Sequence, residues 1–297
     1  MSEPFAGGAF LTGLAVTFGA TLLVFLASGL IALRLGRVNV VDVTWGLGFV
    51  AVAATAFGWT AGEHADLTRR VLVLVLTCTW ALRLSAYIGW RSRGKGEDPR
   101  YSAMLDQATG SRSTYALTHV FLLQAVAAWF ISLPVQAAMA ERSAVSALTW
   151  IGTAVWAVGL FFEAVGDAQL AAFKRDPANR GQVMDRGLWR YTRHPNYFGD
   201  ACVWFGLWLV AAQQWPGAAT VLSPAAMAWF LSFKTGKPLL EKQMAATKPG
   251  YADYMNRTSG FVPLPPKAVP ATEPPKAVPA PEPPKAVPAP EPPRPRG

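Results

Sequence analysis

The stretch "RYTRHPNYFGDACVWFGLWLVAA" runs from Arg190 to Ala212. It opens with two arginines, a histidine, a proline and an asparagine, then passes into an apolar run. At a lipid boundary such polar groups need a partner or a task. Composition says that a lipid boundary is the right setting. The chain is 52% hydrophobic and only 15% charged, against about 25% charged in an ordinary soluble domain. Its 12 tryptophans fit a protein with two membrane interfaces, where Trp concentrates. The net charge of +9 does not indicate nucleic acid, because the basic residues sit between apolar runs, as they do in cytoplasmic loops.

A bilayer-spanning helix needs about 20 apolar residues, and seven runs are candidates. They cover about Phe10 to Leu33, Val41 to Trp59, Val71 to Trp90, Tyr115 to Ala138, Val145 to Phe173, Ala201 to Ala212, and Gly217 to Phe233. Pro134 is expected to kink the end of the fourth. The last two are short, and "QQWPG" between them makes a re-entrant hairpin the other reading. No segment alternates like a strand. The expected fold is an all-α polytopic membrane protein over residues 1–264. The N-terminus lacks a basic region before its first apolar run, so no cleaved signal peptide is expected.

Loop charges set the expected orientation. The loops after spans one, three and five hold Arg34 and Arg37; Arg91, Arg93, Lys95, Arg100 and Arg112; and Lys174, Arg175, Arg180, Arg186, Arg190 and Arg193. The opposite side holds Arg69, Arg70 and Arg142. Thirteen against three favours the N-terminus outside and the C-terminus in the cytosol. From Pro265 to Glu291 the units "PPKAVPATE", "PPKAVPAPE" and "PPKAVPAPE" repeat. Residues 265–297 therefore read as an extended, solvated tail. It serves as a spacer or, in the other reading, as a docking peptide for a proline-recognising partner.

Charges inside spans mark functional candidates. Asp42 opens the second span, Arg83 lies within the third, and Glu163 and Asp167 lie four apart in the fifth, on one helix face. Asp42 also reads as a helix N-cap, and Arg83 as a structurally paired or snorkelling side chain. A polar cavity open toward the basic loops accounts for all four together. Arginines around its mouth suit phosphate. There is no Walker loop, no G-x-G-x-x-G after a strand, and no metal-binding His or Cys spacing. A phosphorylated cofactor would thus bind among the membrane helices. Cys78 and Cys202 fall inside apolar runs and indicate neither a disulfide framework nor a metal site.

Four segments carry a resemblance: "VVDVTWGLGF", "LRLSAYIGWRSRGKGEDPRY", "DPANRGQVMDRGLWRYTRHPNYFGD" and "LLEKQMAATKPGYADYMNRTSGFVP". Over about residues 35–265 the chain resembles the steroid 5-alpha-reductase-like membrane proteins, in their bacterial branch. More distantly it is similar to the isoprenylcysteine carboxyl methyltransferases, which share "RHPNYFG". The resemblance implies a seven-helix enzyme that binds NADPH on its cytosolic side and reduces the double bond of a lipid-like enone, of the 3-oxo-4-ene steroid type. It implies a bacterial inner-membrane location, with membrane lipid and a lipid-like substrate as partners. By position, Arg83 would face the cofactor, and Arg93 its phosphates. Asp167 and Lys174 would bind the nucleotide half, and Asn196 and Tyr197 the nicotinamide or its ribose. Arg193 and His194 would sit by the pyrophosphate, and Tyr254 would close the pocket. "RHPNY" would be a loop folded into the cofactor. The family's carbonyl-polarising pair, a glutamate and a tyrosine, would be represented by Asp42 and Tyr87, since Trp80 stands at the position that best matches the tyrosine. The resemblance also carries two alternatives. One is an S-adenosylmethionine-dependent methyltransferase, with "RHPNY" and Glu241 gripping the methyl donor. The other is a non-catalytic lipid-binding protein.

Overall fold

The computed structural model describes residues 3–234 and 236–268. Most of the proline-rich repeat, from residue 269 on, lies outside the described residues. Within them the chain is all-α, with two isolated β-bridges and no strand. Helix α1 covers Gly7–Leu35 and stops at Gly36, whose φ of 63° belongs to the left-handed region that glycine tolerates. Helix α2 is Val40–Trp59, and α3 is Leu67–Arg91, whose cap Asp66 accepts the Arg69 N–H at 2.7 Å. The short α4, Pro99–Leu105, begins with Pro99 behind the capping Asp98.

The α5 turn Arg112–Tyr115, a π-helical segment Ala116–Leu122 and α6, Leu123–Ile131, make one continuous span. It ends sooner than expected. The chain breaks at Ser132, and Leu133–Met139 forms a separate helix, α7, with Pro134 in its first turn. Helix α8 is Ala147–Arg175 and α9 is Pro195–Ala211. Then come α10, Trp215–Ala219; α11, Leu222–Trp229, running into a π turn at Phe230–Lys234; α12, Lys237–Thr247; and α13, Tyr251–Arg257. Among the described residues, five helices are long and apolar enough to cross a membrane: Gly7–Leu35, Val40–Trp59, Leu67–Arg91, Arg112–Ile131 and Ala147–Arg175. The protein is therefore a polytopic membrane protein. Of the two shorter runs, the first folds as the 17-residue α9. The second is divided among α10, α11 and the π turn.

Antiparallel α8 and α9 are the most intimate pair, and glycine makes it so. Gly152, Gly159 and Gly166 recur every seven residues on α8, facing Gly206, Gly199 and Pro195 of α9. A side-chain carbon on Gly159 would stand 2.5 Å from the Gly199 carbonyl, and one on Gly206 would stand 2.6 Å from the Gly152 carbonyl. Close backbone approach between small residues is how helices associate in lipid, where no hydrophobic force drives them together. Beside this seam lies an aromatic core. The Phe49 ring is 4.6 Å from that of Trp204 and 5.5 Å from that of Trp80.

The three arginines at the end of the bundle away from Arg91 are all used internally. Arg69 is fully buried and donates to the Val210 carbonyl at 2.7 Å, to Gln213 Oε1 at 2.9 Å and to the Ser143 and Ala144 carbonyls. Arg70 lies over the Phe57 ring and donates to the Phe57 carbonyl. Arg142 pairs with Glu63 at 3.2 Å.

Candidate functional site

The α8–α9 seam sets the position of the buried charges. Glu163 lies one turn beyond Gly159 on α8, and Asp167 one turn beyond Glu163. Both reach Arg83 of α3. Arg83 pairs with Glu163 and with Asp167, the latter at 2.9 Å. Trp80, one turn earlier on α3, donates its indole N–H to the second Glu163 oxygen at 2.6 Å. Tyr87, one turn later, donates to the Asp167 backbone carbonyl at 3.3 Å. Both carboxylates are buried. Asp200 of α9 is buried as well, and its Oδ2 has no hydrogen-bond partner among the described residues. Isolated ions are too costly to bury, and here Arg83 pairs with both carboxylates, so the three form a polar cluster in an apolar bundle.

A second cluster lies at the start of α2. The Tyr101 hydroxyl of α4 donates to Asp42 Oδ1 at 2.5 Å, and Arg100 stands 3.5 Å from the other oxygen. Burial, with the neighbouring Asp42 charge, holds the Tyr101 phenol well above its ordinary range. Glu97 accepts from the Val38 and Asn39 N–H groups at the entry to α2, which fixes the α4 segment against it. Asp42 is thus an interior residue of the first turn of α2; the cap position belongs to Asn39. The hydroxyl that meets Asp42 is that of Tyr101, while Tyr87 donates to the Asp167 carbonyl, because the chain after α3 folds back and seats α4 beside α2.

A third cluster fastens the C-terminal helices. Arg193 donates to Glu241 at 2.7 Å and to the carbonyls of Met255 at 2.9 Å and Thr258 at 2.5 Å. His194 contacts the same Glu241 oxygen at 3.1 Å and stacks on Tyr197, with ring centroids 5.2 Å apart. Burial opposes the Glu241 charge, but the bonds from His194 and Arg193 outweigh it and bring its pKa down to about 2. The Tyr254 hydroxyl donates to the Trp189 carbonyl at 2.5 Å. Around them, Leu264 N–H reaches the Tyr191 carbonyl at 2.9 Å and Lys267 N–H the Arg257 carbonyl at 2.8 Å.

Of the residues the sequence singles out, Arg83, Asp167 and Tyr87 therefore share the first cluster. Asn196 stands next to it, in hydrogen-bonding reach of Asp167. Asn196 and Tyr197 lie in the first turn of α9, so "RHPNY" is a helix start behind the buried His194 rather than a loop. Arg193 and Tyr254 have their donors directed to protein acceptors. Arg93 and Lys174 are exposed, and Lys174 lies among Arg91, Lys95 and Lys248. Sequence reasoning missed Tyr101 and Arg100, although "EDPRY" closes one of the four motif segments. It also passed over Asp200, which only the fold sets beside Glu163 and Arg83.

Over 69 residues the chain is 38% identical to a curated relative, steroid 5-alpha-reductase DET2 of Arabidopsis thaliana. That match covers 23% of this chain and 25% of the plant protein. No solved structure matches. The shared stretch and the family match are consistent with the steroid 5-alpha-reductase-like superfamily. Residues 29–258 match the family described as protein of unknown function (DUF1295), and the chain belongs to that family.

Proposed function

We propose that the protein is a membrane-embedded, NADPH-dependent reductase of an enone double bond in a lipid-like substrate, working from the cytosolic side of a bacterial inner membrane. The observation that carries the reading is the buried Arg83–Glu163–Asp167 network on two apolar spans, next to cations held in no ion pair. The side chains of Arg91, Arg93, Lys95 and Lys174 make no hydrogen bond or ion pair among the described residues. A multiply phosphorylated cofactor fits such a surface, since phosphates need cations that the protein has not already neutralised. Arg93 and Lys174 would hold phosphate or nucleotide, and Asn196, with Tyr197, would orient the nicotinamide end beside Asp167. Bound there, NADPH would supply hydride to the beta carbon of the enone.

The chain's own part is to polarise the carbonyl. The Asp42–Tyr101 pair supports that role better than Asp42 with Tyr87, because its two groups already meet. The Tyr101 hydroxyl, turned from Asp42 to the carbonyl oxygen, would stabilise the negative charge that develops there. The methyltransferase alternative asks Arg193, His194 and Glu241 to grip S-adenosylmethionine. Those side chains are bonded to one another and to the C-terminal segment, which favours the reductase reading. Thermal stability of the purified protein with NADPH, NADH and S-adenosylmethionine is the first test. The second is single-turnover NADPH oxidation with an enone lipid. Stabilisation by S-adenosylmethionine alone would overturn the proposal.

A further inference from the structure

A cavity of about 250 Å³ opens where α8 ends, lined by Lys174, Arg175, Asp176, Asn179, Arg180 and Lys248 among others. Four of these side chains are cations, and Asp176 is the only carboxylate among the lining residues. Asp176 is already engaged, since its Oδ1 accepts the Ala178 N–H at 2.9 Å. Asn179 points its amide at the Phe173 carbonyl, 3.1 Å away, and so ties the turn back to the helix end. Lys248 arrives from the α12–α13 connection and bonds the Gln182 carbonyl. The side chains of Lys174, Arg175 and Arg180 have no hydrogen bond or ion pair among the described residues. The arginines at the other end of the bundle differ, for there every guanidinium donates to a protein acceptor. Cations drawn together around a cavity repel one another unless an anion joins them, and guanidinium groups match phosphate oxygens in shape.

We infer that this cavity is a phosphate-monoester site and, resting on the reductase reading, that it takes the 2′-phosphate of the adenine nucleotide. Arg180 and Lys248 then determine the preference for NADPH over NADH. Lys174 links the two regions. It stands seven residues beyond Asp167 on α8 and lies in electrostatic reach of both Arg91 and Lys248, while Arg91 is in turn within reach of Asp167. A dinucleotide whose nicotinamide end lies by Asp167 and Asn196 would extend along that positive track and finish at the cavity.

The experiment measures affinities of the full-length protein in lipid nanodiscs for NADPH, NADH, 2′,5′-ADP and 5′-AMP, in wild type, Arg180→Ala, Lys248→Ala and the double variant. The expected result is tighter binding of 2′,5′-ADP than of 5′-AMP. Each single variant should weaken NADPH and 2′,5′-ADP by about tenfold or more, the scale of a lost charge-assisted hydrogen bond. NADH and 5′-AMP should be unaffected. NADPH binding with an unchanged NADPH-to-NADH ratio in the double variant overturns this inference and leaves the reductase reading standing. Failure of every dinucleotide to bind the wild type overturns both. A further arm uses nanodiscs containing phosphatidic acid, whose headgroup is also a phosphate monoester. Stabilisation by that lipid which is lost in the double variant, with no discrimination between 2′,5′-ADP and 5′-AMP, overturns the assignment to the nucleotide.

Discussion

Arg83 shows why one residue's role depends on what it leaves behind. Arg83→Ala would strand Glu163 and Asp167, and breaking a buried pair costs about 3–5 kcal/mol. Loss of NADPH binding in that variant would be hard to separate from loss of fold. Asn196 is the cleaner probe, because it is half-buried at the start of α9, carries no charge, and accepts only the adjacent Tyr197 N–H while reaching toward Asp167. Asn196→Ala should weaken NADPH at least tenfold with an unaltered melting temperature; unchanged cofactor titrations would remove Asn196 from the site. The proposed acid pair, Asp42 and Tyr101, is tested by kinetics. Tyr101→Phe keeps the ring and removes the donor, so it should slow single-turnover NADPH oxidation roughly 100-fold, the usual scale for one oxyanion donor. Asp42→Ala should slow it similarly, and Asp42→Asn less. Cofactor affinity should hold in all three. If Tyr87→Phe slows the reaction and Tyr101→Phe does not, the acid is Tyr87. Asp42, Arg83 and Asp167 were legible in the sequence because charges in apolar runs stand out. Tyr101 was not, since α4 is too short to show a period and its contact with Asp42 joins positions far apart in the chain.

At the scale of elements, hydropathy revealed the long spans, but it says nothing of what each one touches. The seven-residue spacing of Gly152, Gly159 and Gly166 was open to reading, whereas their partners on α9 run in the opposite direction and appear only on folding. Pro195 was likewise a usable signal, because proline favours the first turn of a helix. Gly159→Ala places a carbon 2.5 Å from the Gly199 carbonyl. It should lower the melting temperature in detergent by several degrees, since overpacking costs about 1–3 kcal/mol, and should weaken NADPH by shifting Asp167 from Asn196. Gly19→Ala, where an added carbon meets nothing within 4 Å, is the control. Equal melting of the two variants would show that the seam tolerates separation. The C-terminal helices depend on a different force. Glu241 has its folded pKa lowered from 4.5 to about 2. Its stabilisation is therefore complete above about pH 4.5 and fades as pH falls toward 2. Glu241→Gln should melt below wild type at neutral pH, with the gap closing across that acidic window. A gap independent of pH would mean that the charge on Glu241 is not what holds α12 in place.

For the molecule as a whole, the two ends of the bundle differ in how much positive charge they leave unpaired, although Arg37, Arg100, Arg112 and Arg193 at the Arg91 end do have protein partners. At one end Arg69, Arg70 and Arg142 are bound to carbonyls, Gln213 and Glu63. At the other, the side chains of Arg91, Arg93, Lys95, Lys174, Arg175 and Arg180 have no such partner among the described residues. The asymmetry in free charge is thus sharper than the thirteen to three that the sequence shows. Loops rich in Lys and Arg are retained in the cytoplasm, and the proposed nucleotide cofactor is available only there, so the expected orientation and the proposed function are tested together. The exposed loop residues Gly62 and Lys95 report on the two ends. With the native Cys78 and Cys202 replaced by alanine, Gly62→Cys should react in intact cells with a membrane-impermeant thiol reagent. Lys95→Cys should react only after the membrane is permeabilised. The reverse pattern would put the free cations outside, where no NADPH pool reaches them, and the anion bound there would have to be something other than a nucleotide.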